Sequence, residues 1–333
     1  MNKREVVIAT LEGKDVPYTP WSFSFTQEPL AELKKYYKTD DISKATGNHL
    51  LHLGNPVGFF EDMGSNLFRD VFGVVWDRTA DRDIGNVSGC VLPEPTAKDL
   101  KLPNPDAPVF HTGVREAIAA NPDLFKVYPV GFSLFERAWT LRGMENLMMD
   151  FVVNPQFVED LLTKIADFNI ALVERALQYD IDGIYFGDDW GQQHGLLMGP
   201  ALWRKFILPQ ITRMYAAVRK TGRYVFIHSC GDVDELFDDL YNAGVNCFNP
   251  FQPEVMDVES LFKQYKGRLS FHGGLSTQKT LPFGTVDEVR HESRKLLQMG
   301  RQGGYIFAPA HAVESDAPLE NILAFIDEAN NQQ

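Results

Sequence analysis

The sequence predicts an α/β protein built as a (β/α)8 barrel, a TIM barrel, with an N-terminal elaboration. From about residue 126 onward, six short apolar runs alternate with amphipathic stretches, and two further apolar runs lie upstream. Strands buried on both faces of a parallel sheet have such unalternating apolar sequences. Eight strands joined by helices are typical of a barrel, and an open, doubly wound sheet is the alternative. No glycine-rich phosphate loop follows any run, so the nucleotide-binding version of that alternative lacks support.

The predicted strands are rich in Val, Ile, Tyr and Phe. The six later runs are Lys126–Gly131, Gly183–Phe186, Tyr224–His228, Cys247–Pro250, Leu269–His272 and Tyr305–Pro309. The upstream runs Tyr18–Phe25 and Leu50–Leu53 bring the predicted number to eight. We therefore expect consecutive parallel strands connected by right-handed crossovers.

The helices predicted between these strands are amphipathic. Asn154-Pro155 predicts an N-cap and a first-turn proline, and apolar side chains then recur every three or four residues as far as Ala176. Gly199-Pro200 predicts the start of another helix, which Pro209 kinks or divides. The other predicted helices are Val233–Asn242, Val258–Tyr265, Val286–Met299 and Pro318–Ala329.

Residues 54–125 interrupt this alternation. The segment is rich in Gly, Pro, Asp and Asn, which predicts short strands and turns inserted near the mouth of the barrel. The sequence contains no clear linker, internal repeat or low-complexity tract. We therefore expect a single domain over residues 1–333, with 54–125 as a loop-rich excursion.

The composition excludes several classes of function. The chain has 32 Lys and Arg against 45 Asp and Glu, a formal charge of −13, which argues against binding to nucleic acid or to anionic membranes. Its apolar runs are shorter than the roughly 18–20 residues of a membrane helix, and the N-terminus lacks the apolar segment of a signal peptide. Three scattered cysteines do not suggest a disulfide scaffold. We expect a cytoplasmic protein.

Reactive side chains follow several predicted strands, and barrel enzymes place their catalytic groups at these strand ends. They are Asp188 and Asp189 at the end of the fourth strand, His228 and Cys230 at the end of the fifth, His272 at the end of the seventh and His311 at the end of the eighth. His228 and Cys230 are two residues apart, so on a strand both side chains point the same way and could share one Zn2+ ion. His311 could supply the third ligand. The alternative is a chance His-x-Cys pair, with histidines that only form hydrogen bonds.

The remaining candidates would act on the substrate. Asp188 and Asp189 are candidate catalytic carboxylates, and we expect one to reach the centre while the other accepts hydrogen bonds from loop N–H groups. The candidate substrate-binding residues are Trp21, Phe23, Glu136, Trp190 and His272. The aromatic residues could line a pocket or simply pack in the core. Glu136-Arg137 could instead form an ion pair, and His272-Gly273-Gly274 a tight turn.

Many segments along the chain resemble the uroporphyrinogen decarboxylase superfamily, which also contains methyltransferases that serve corrinoid proteins. The segments are Val16-Pro17, Phe68-Arg69-Asp70-Val71-Phe72-Gly73-Val74-Val75-Trp76, Ile84-Gly85, Leu100–Pro108, Gly187-Asp188-Asp189, Gly199-Pro200, His228-Ser229-Cys230-Gly231, His272-Gly273-Gly274 and Gly303-Gly304-Tyr305-Ile306-Phe307-Ala308-Pro309. The resemblance implies a (β/α)8 barrel, in agreement with the strand count.

The resemblance is greater to the methyltransferase branch than to true uroporphyrinogen decarboxylases. The decarboxylases carry an Arg-Gln-Ala-Gly-Arg-Tyr stretch after the first strand, which holds the acidic groups of the tetrapyrrole. Residues 20–27 of this chain contain no arginine, and a substrate with many carboxylates needs cationic partners. In the methyltransferases the His-x-Cys pair binds zinc together with a second Cys near the eighth strand. His311 stands at that position here, and a His/Cys/His set is a chemically acceptable zinc site, which a carboxylate or the substrate could complete.

The resemblance implies a zinc-dependent methyltransferase. It would transfer a methyl group from a small methoxylated or methylated compound to the cobalt of a corrinoid on a separate protein, which becomes a methylcobamide, as an O-demethylase component does. A metal-free decarboxylase acting on a less acidic substrate is one alternative. A barrel that binds a ligand without catalysis is the other. The sequence leaves the oligomeric state open, with a homodimer as one alternative.

Overall fold

The computed structural model describes residues 1–54 and 60–332. The strands in this part of the chain are β1 (Leu50–His52), β2 (Glu61–Gly64), β3 (Leu67–Arg69), β4 (Val75–Asp77), β5 (Asn86–Ser88), β6 (Phe125–Val130), β7 (Gly183–Gly187), β8 (Tyr224–His228), β9 (Cys247–Phe251), β10 (Ser270–Leu275) and β11 (Tyr305–Pro309). The α-helices are α1 (Lys3–Leu11), α2 (Gln27–Tyr37), α3 (Ile42–Ala45), α4 (Val114–Ala120), α5 (Phe135–Arg142), α6 (Met144–Val153), α7 (Pro155–Ala176), α8 (Gly199–Leu202), α9 (Leu208–Arg219), α10 (Phe237–Ala243), α11 (Val258–Gln264), α12 (Thr280–Phe283), α13 (Val286–Gly300) and α14 (Leu319–Asn330).

The main sheet of the described chain is parallel and has seven strands, in the order β1-β6-β7-β8-β9-β10-β11. Each strand pairs with the next one along the main sheet, and helices connect most neighbours, which is the arrangement predicted from the alternating sequence. The six later predicted runs correspond to β6 to β11. The parallel sheet and its connecting helices form an α/β fold, and the sheet curls as part of a barrel.

The predicted first strand, Tyr18–Phe25, is not a regular strand. It makes isolated parallel bridges from Trp21 to Phe307 and from Phe25 to Val313. The Trp21 carbonyl also accepts a 2.9 Å hydrogen bond from the N–H of His49, next to β1. Since Pro17 and Pro20 have no N–H to donate, they interrupt a continuous ladder. The segment thus touches both edges of the sheet, and the main sheet of the described chain has seven regular strands instead of the predicted eight.

Apolar side chains fill the inside of the sheet at the amino ends of the strands. The buried cluster consists of Val7, Leu50, Phe125, Val127, Phe226, Cys247 and Ile306. Val7 belongs to α1, which therefore covers this end. Because side chains on a strand alternate, residues two positions after Leu50, Phe226 and Cys247 face the same interior one layer higher. Those residues are polar and include the predicted ligand His228.

Two glycines predicted to form a turn after β10 lie within that strand instead. Gly273 and Gly274 have φ values of +135° and +106°, and they pair with Phe307 and Ala308 of β11. A Cβ at Gly273 would lie 2.6 Å from the backbone nitrogen of Phe251. The expectation of a tight turn was wrong because glycine here allows close approach of two strands, rather than a change of direction.

Proline positions explain the ends of two helices. Pro155 occupies the first turn of α7, as predicted, where its missing N–H costs no hydrogen bond. Pro209 lies in the first turn of α9, and the preceding Trp203–Ile207 segment is a π-helical turn that joins α8 to α9. The predicted division of this helix by Pro209 is therefore present. No helix in the described part of the chain combines the length and apolarity needed to cross a membrane.

The predicted excursion contains an antiparallel sheet of four strands in the order β2-β3-β4-β5. Its residues 55–59 lie outside the described residues. A buried ion pair, 2.9 Å between Asp70 Oδ2 and Arg137 Nη1, joins this part of the chain to α5. The indole N–H of Trp76 in β4 donates to the same carboxylate at 3.2 Å. The antiparallel sheet is thus attached to the helix that follows β6.

Candidate metal centre

The three predicted metal ligands lie together at the carboxyl ends of β8 and β11. One donor atom from each of His228, Cys230 and His311 lies within 4.8 Å of the other two. His228 Nε2 is 3.3 Å from Cys230 Sγ, and the ring centroids of His228 and His311 are 5.8 Å apart. The parallel sheet brings His311 next to a pair that is distant from it in the sequence.

This donor set fits a zinc ion. Zn–N bonds of about 2.0–2.1 Å and a Zn–S bond of about 2.3 Å, in tetrahedral geometry, place the nitrogen and sulfur about 3.5 Å apart. The observed separation of His228 Nε2 and Cys230 Sγ is 3.3 Å. Three protein ligands leave a fourth position for water or substrate, as in catalytic zinc sites. The side chain of His311 is 42% exposed, so solvent reaches this end of the group.

A carboxylate lies beside the group. Asp189 Oδ1 accepts a 2.8 Å hydrogen bond from the Cys230 backbone N–H and lies 3.7 Å from His228 Nε2. Burial raises the pKa of the Cys230 thiol, and the charge of Asp189 raises it further. Burial lowers the pKa of His311, as does its neighbour His228. The imidazole is therefore available as a neutral ligand, whereas the thiol needs a nearby cation to ionise.

Asp188, the other predicted carboxylate, is fully buried and points to backbone donors. It accepts hydrogen bonds from the N–H groups of Leu134 at 3.1 Å, Phe135 at 3.0 Å and Glu136 at 2.8 Å. The indole N–H of Trp190 donates to it at 2.6 Å. Burial raises the pKa of Asp188 to about 6, although these donors oppose the shift. Asp188 thus satisfies the unpaired N–H groups at the start of α5.

Glu136 stands in the first turn of α5, which Asp188 holds in place. Its side chain is half-buried, and a backbone interaction with Asp189 favours the charged form of the carboxyl. Burial raises the pKa of Glu136 well above its usual range, and the charges of Asp189 and Asp188 add to this effect. The protonated form of Glu136 is therefore favoured beside the candidate metal ligands.

Two glycines determine how closely the loops after β7 and β8 approach each other. The N–H of Gly191 donates to the Cys230 carbonyl at 3.1 Å. A Cβ on Gly191 would lie 2.6 Å from that oxygen, and one on Gly231, where φ is +89°, would lie 2.4 Å from the Gln192 nitrogen. No larger residue fits without moving the backbone. These glycines therefore set the distance between Asp189 and Cys230.

The three aromatic candidates for substrate binding are core residues. Trp21, Phe23 and Trp190 are 7%, 6% and 0% exposed. The Trp21 indole donates to the Thr46 carbonyl, and Phe23 packs edge-on against Phe307. Core packing, the alternative considered from the sequence, describes their positions. The backbone N–H of Trp190 donates to Oγ of Ser229, which lies between the candidate ligands His228 and Cys230.

His272 is also buried, on β10. Its Nε2 lies 3.2 Å from the Ser22 carbonyl oxygen. Burial lowers the pKa of His272 to about 4, so the ring is neutral at pH 7. Within the described chain its Nδ1 has no hydrogen-bond partner. His272 therefore lies in the polar layer beneath the candidate metal centre.

Comparisons with known proteins place this chain in a family. A model of the family described as "Uroporphyrinogen decarboxylase (URO-D)" matches residues 131–332, which include all of the candidate metal ligands. The chain belongs to the uroporphyrinogen decarboxylase family. The resemblance inferred from the sequence motifs is thereby confirmed at the level of the family.

Individual relatives in the family are distant. Curated uroporphyrinogen decarboxylases from two strains of Coxiella burnetii, RSA 493 and RSA 331, are each 23% identical over 186 residues, which are 53% of this chain and 48% of each relative. The chain thus spans about half the length of these relatives. A solved methyltransferase from Methanosarcina mazei is 18% identical, with a TM-score of 0.73 over 99% of this chain and 98% of that chain. At this identity, the likeness shows the fold alone.

Sequence reasoning assigned no role to Asn249, although it lies against a candidate ligand. Asn249 pairs with His228 in the register of β8 and β9, and its Oδ1 is 2.6 Å from His228 Nδ1. The only sequence signal was its position two residues after the inward-facing Cys247. The partner of Arg137 was also missed, because Asp70 is distant in sequence and the two have no characteristic spacing.

Proposed function

We propose that this member of the uroporphyrinogen decarboxylase family is a zinc-dependent methyltransferase. The observation that carries the proposal is the convergence of two imidazoles and one thiol, with His228 Nε2 3.3 Å from Cys230 Sγ and His311 within 4.8 Å. The ligand types and the spacing suit zinc, and a fourth position stays open. A solved protein of similar fold, from Methanosarcina mazei, is a methyltransferase, which agrees with this reaction class.

In this proposal the substrate is a small methoxylated or methylated compound and the methyl acceptor is a corrinoid on a partner protein. The bond between the methyl carbon and its heteroatom would break, and the reduced corrinoid would supply the electron pair of the new bond to carbon. The heteroatom leaves with the electrons of the broken bond and takes up a proton. Zinc held here would supply a Lewis acid that stabilises this leaving group.

The protein side chains would have three roles. His228, Cys230 and His311 hold the ion. Asp189 fixes the loop of Cys230 through the 2.8 Å hydrogen bond to its N–H. Glu136, whose pKa is raised by burial and by two neighbouring carboxylates, carries a proton for the leaving heteroatom. Asp188 is a positioning residue, because its contacts orient α5 and thereby Glu136.

Metal-free decarboxylation of a less acidic substrate is the second candidate. It is favoured by the family match and by the decarboxylase names of the curated relatives. Asp189 and His311 would then stabilise a protonated intermediate. Uroporphyrinogen itself is a poor fit, because residues 20–27 offer no arginine for its carboxylates.

Metal content tests the proposal first. We expect purified wild-type protein to hold about one zinc per chain, and Cys230→Ser to lose it. Cys90→Ser is the matched control, since Cys90 is exposed and hydrogen-bonds to backbone carbonyls of Leu92 and Arg142. Wild-type protein that binds no added zinc would overturn the proposal.

Activity tests it second. With 2-methoxyphenol as a probe methyl donor and free cob(I)alamin as acceptor, zinc-loaded protein should form methylcobalamin, followed by its absorbance. Removal of zinc with a chelator should abolish the reaction, and readdition should restore it. Carbon dioxide release from acidic probe substrates by chelator-treated protein would instead support the decarboxylase.

A further inference from the structure

Asn249 forms a bridge between β8 and β10 directly beneath the candidate metal centre. It is 8% exposed, and its amide makes two short contacts. Oδ1 is 2.6 Å from His228 Nδ1, and Nδ2 is 2.9 Å from the backbone carbonyl oxygen of His272. Both polar atoms of the amide are therefore used, each by a different neighbouring strand.

The direction of both hydrogen bonds follows from the chemistry of the partners. The His272 carbonyl can only accept, so the amide atom that faces it must be the NH2 group. The oxygen of Asn249 then faces His228, and since an amide oxygen only accepts, His228 Nδ1 must carry the proton. In the neutral ring, His228 Nε2 is left with its lone pair.

The lone pair of Nε2 points into the candidate centre. Nε2 lies 3.3 Å from Cys230 Sγ and 3.7 Å from Asp189 Oδ1. The carboxylate oxygen of Asp189 is an acceptor as well. Lone pairs of His228, Cys230 and Asp189 therefore face the space that a cation would occupy. The tautomer fixed by Asn249 is the one that suits metal binding through Nε2.

The bridge is itself held by a further hydrogen bond. His272 Nε2 is 3.2 Å from the Ser22 carbonyl oxygen, which only accepts, so His272 donates from Nε2. His272 is 6% exposed, which keeps water from competing for this contact. The carbonyls at both ends of the network cannot donate. The orientation of Asn249 therefore cannot reverse without leaving a buried N–H or C=O unpaired.

We propose that Asn249 is a positioning residue that fixes His228 in its Nδ1–H tautomer, with Nε2 ready to bind metal. The consequence for metal affinity rests on the proposed zinc site, whereas the tautomer can be measured without metal. Loss of a partner that orients a metal-binding histidine costs about 10–100-fold in metal affinity. We expect a loss of this size when Asn249 can no longer accept a hydrogen bond.

The first measurement needs only metal-free protein. In 15N NMR spectra of histidine-labelled protein, assigned to His228 by comparison with His228→Gln, we expect Nδ1 protonated and Nε2 unprotonated. An Nε2–H tautomer in the wild type would overturn the inference, whether or not zinc binds. The Nδ1–H tautomer in protein that binds no zinc would support the inference and overturn the proposed function, so the two failures are distinguishable.

A pair of variants separates hydrogen bonding from packing. Asn249→Leu keeps the branched shape and the number of side-chain heavy atoms but removes the acceptor. We therefore expect zinc affinity, measured by competition with a chromophoric chelator, to fall about 10–100-fold. Asn249→Asp keeps an acceptor for His228 Nδ1–H and should retain affinity within about 10-fold. Its second oxygen faces the His272 carbonyl, so some loss of stability is expected without loss of affinity. Equal zinc affinity in Asn249→Leu and wild type, or equal losses in both folded variants, would overturn the inference.

Discussion

The carboxylate of Asp189 accepts a 2.8 Å hydrogen bond from the backbone N–H of Cys230, which places a negative charge beside a buried thiol. The charge raises the pKa of the thiol in addition to the effect of burial. A cation in the same space reverses this effect, because it stabilises the thiolate and is attracted by the carboxylate. The pair is therefore suited to bind a metal ion, and unsuited to hold a free thiolate.

Asp189→Asn should make the thiol of the metal-free protein more acidic. The amide oxygen can still accept the Cys230 N–H, but the charge that disfavours the thiolate is gone. In a Cys90→Ser background, the rate of alkylation by iodoacetamide should therefore rise at lower pH in Asp189→Asn than in its parent. Cys230→Ser in that background identifies the reacting residue. An unchanged pH profile would show that Asp189 does not influence this thiol.

Zinc binding should release a proton. Since the pKa of the Cys230 thiol is raised, the thiol is protonated at pH 7 and must ionise to bind metal, so about one proton should leave per zinc. Calorimetric titration in buffers with different ionisation enthalpies measures this number. His311→Ala keeps the thiol and should still release the proton on binding zinc more weakly. Binding by the wild type without proton release would contradict the thiol's role as a ligand.

Asp70→Asn should destabilise the protein strongly. The variant leaves the buried Arg137 guanidinium without its counter-charge, and breaking such a pair costs about 3–5 kcal/mol in the free energy of unfolding. Urea denaturation followed by circular dichroism measures the change. The matched control is Asp106→Asn, whose partner Arg175 is exposed, and it should alter stability little. Similar effects of the two substitutions would contradict the assigned role of the buried pair.

Acid should destabilise the fold in part through His49. Burial, with a smaller effect of Lys3, lowers the pKa of His49 from 6.5 to about 3. Below pH 6.5 the unfolded state therefore binds a proton that the folded state does not, so stability falls as pH falls. At pH 5 the cost is about 2 kcal/mol relative to pH 7. His49→Gln should lose correspondingly less stability between pH 7 and pH 5, measured by urea denaturation.

The control for this prediction is His291→Gln, since His291 is exposed on α13. Its loss of stability between pH 7 and pH 5 should match that of the wild type. If His49→Gln also matches the wild type, the proton uptake on unfolding comes from other groups.

The parts of the fold that were predictable are those with a local signal. Tyr224–His228 and Tyr305–Pro309 have the predicted bounds, because a run of apolar and aromatic residues buried on both faces is distinctive. The tight turn predicted at Gly273 and Gly274 was wrong, since glycine indicates either a turn with positive φ or a close approach of two backbones, and the sequence does not distinguish them. Trp21 and Phe25 form only bridges, because nearby prolines limit pairing in a way that hydrophobicity does not reveal.

The candidate site also contains some residues that the sequence could predict and others that it could not. His228 and Cys230 could be paired from their spacing alone, because a strand places alternate side chains on one face. The alternative roles of Asp188 and Asp189 were foreseen, but which residue took which role depends on where α5 begins. Asn249 contacts residues of two neighbouring strands, and Asp70 pairs with Arg137 of α5. A single sequence carries no mark of such pairs.

The discontinuous pairing around Trp21 has a mechanical consequence. The seven strands of the main sheet are hydrogen-bonded continuously from β1 to β11, whereas the Tyr18–Phe25 segment contacts the two edges of the sheet at only a few points. Local opening motions should therefore concentrate around the Tyr18–Phe25 segment. The strand β8 and the loop after it, which carry His228 and Cys230, should be comparatively rigid. His311 lies between the bridged residues Phe307 and Val313, so such motion should move this candidate ligand more than His228 and Cys230.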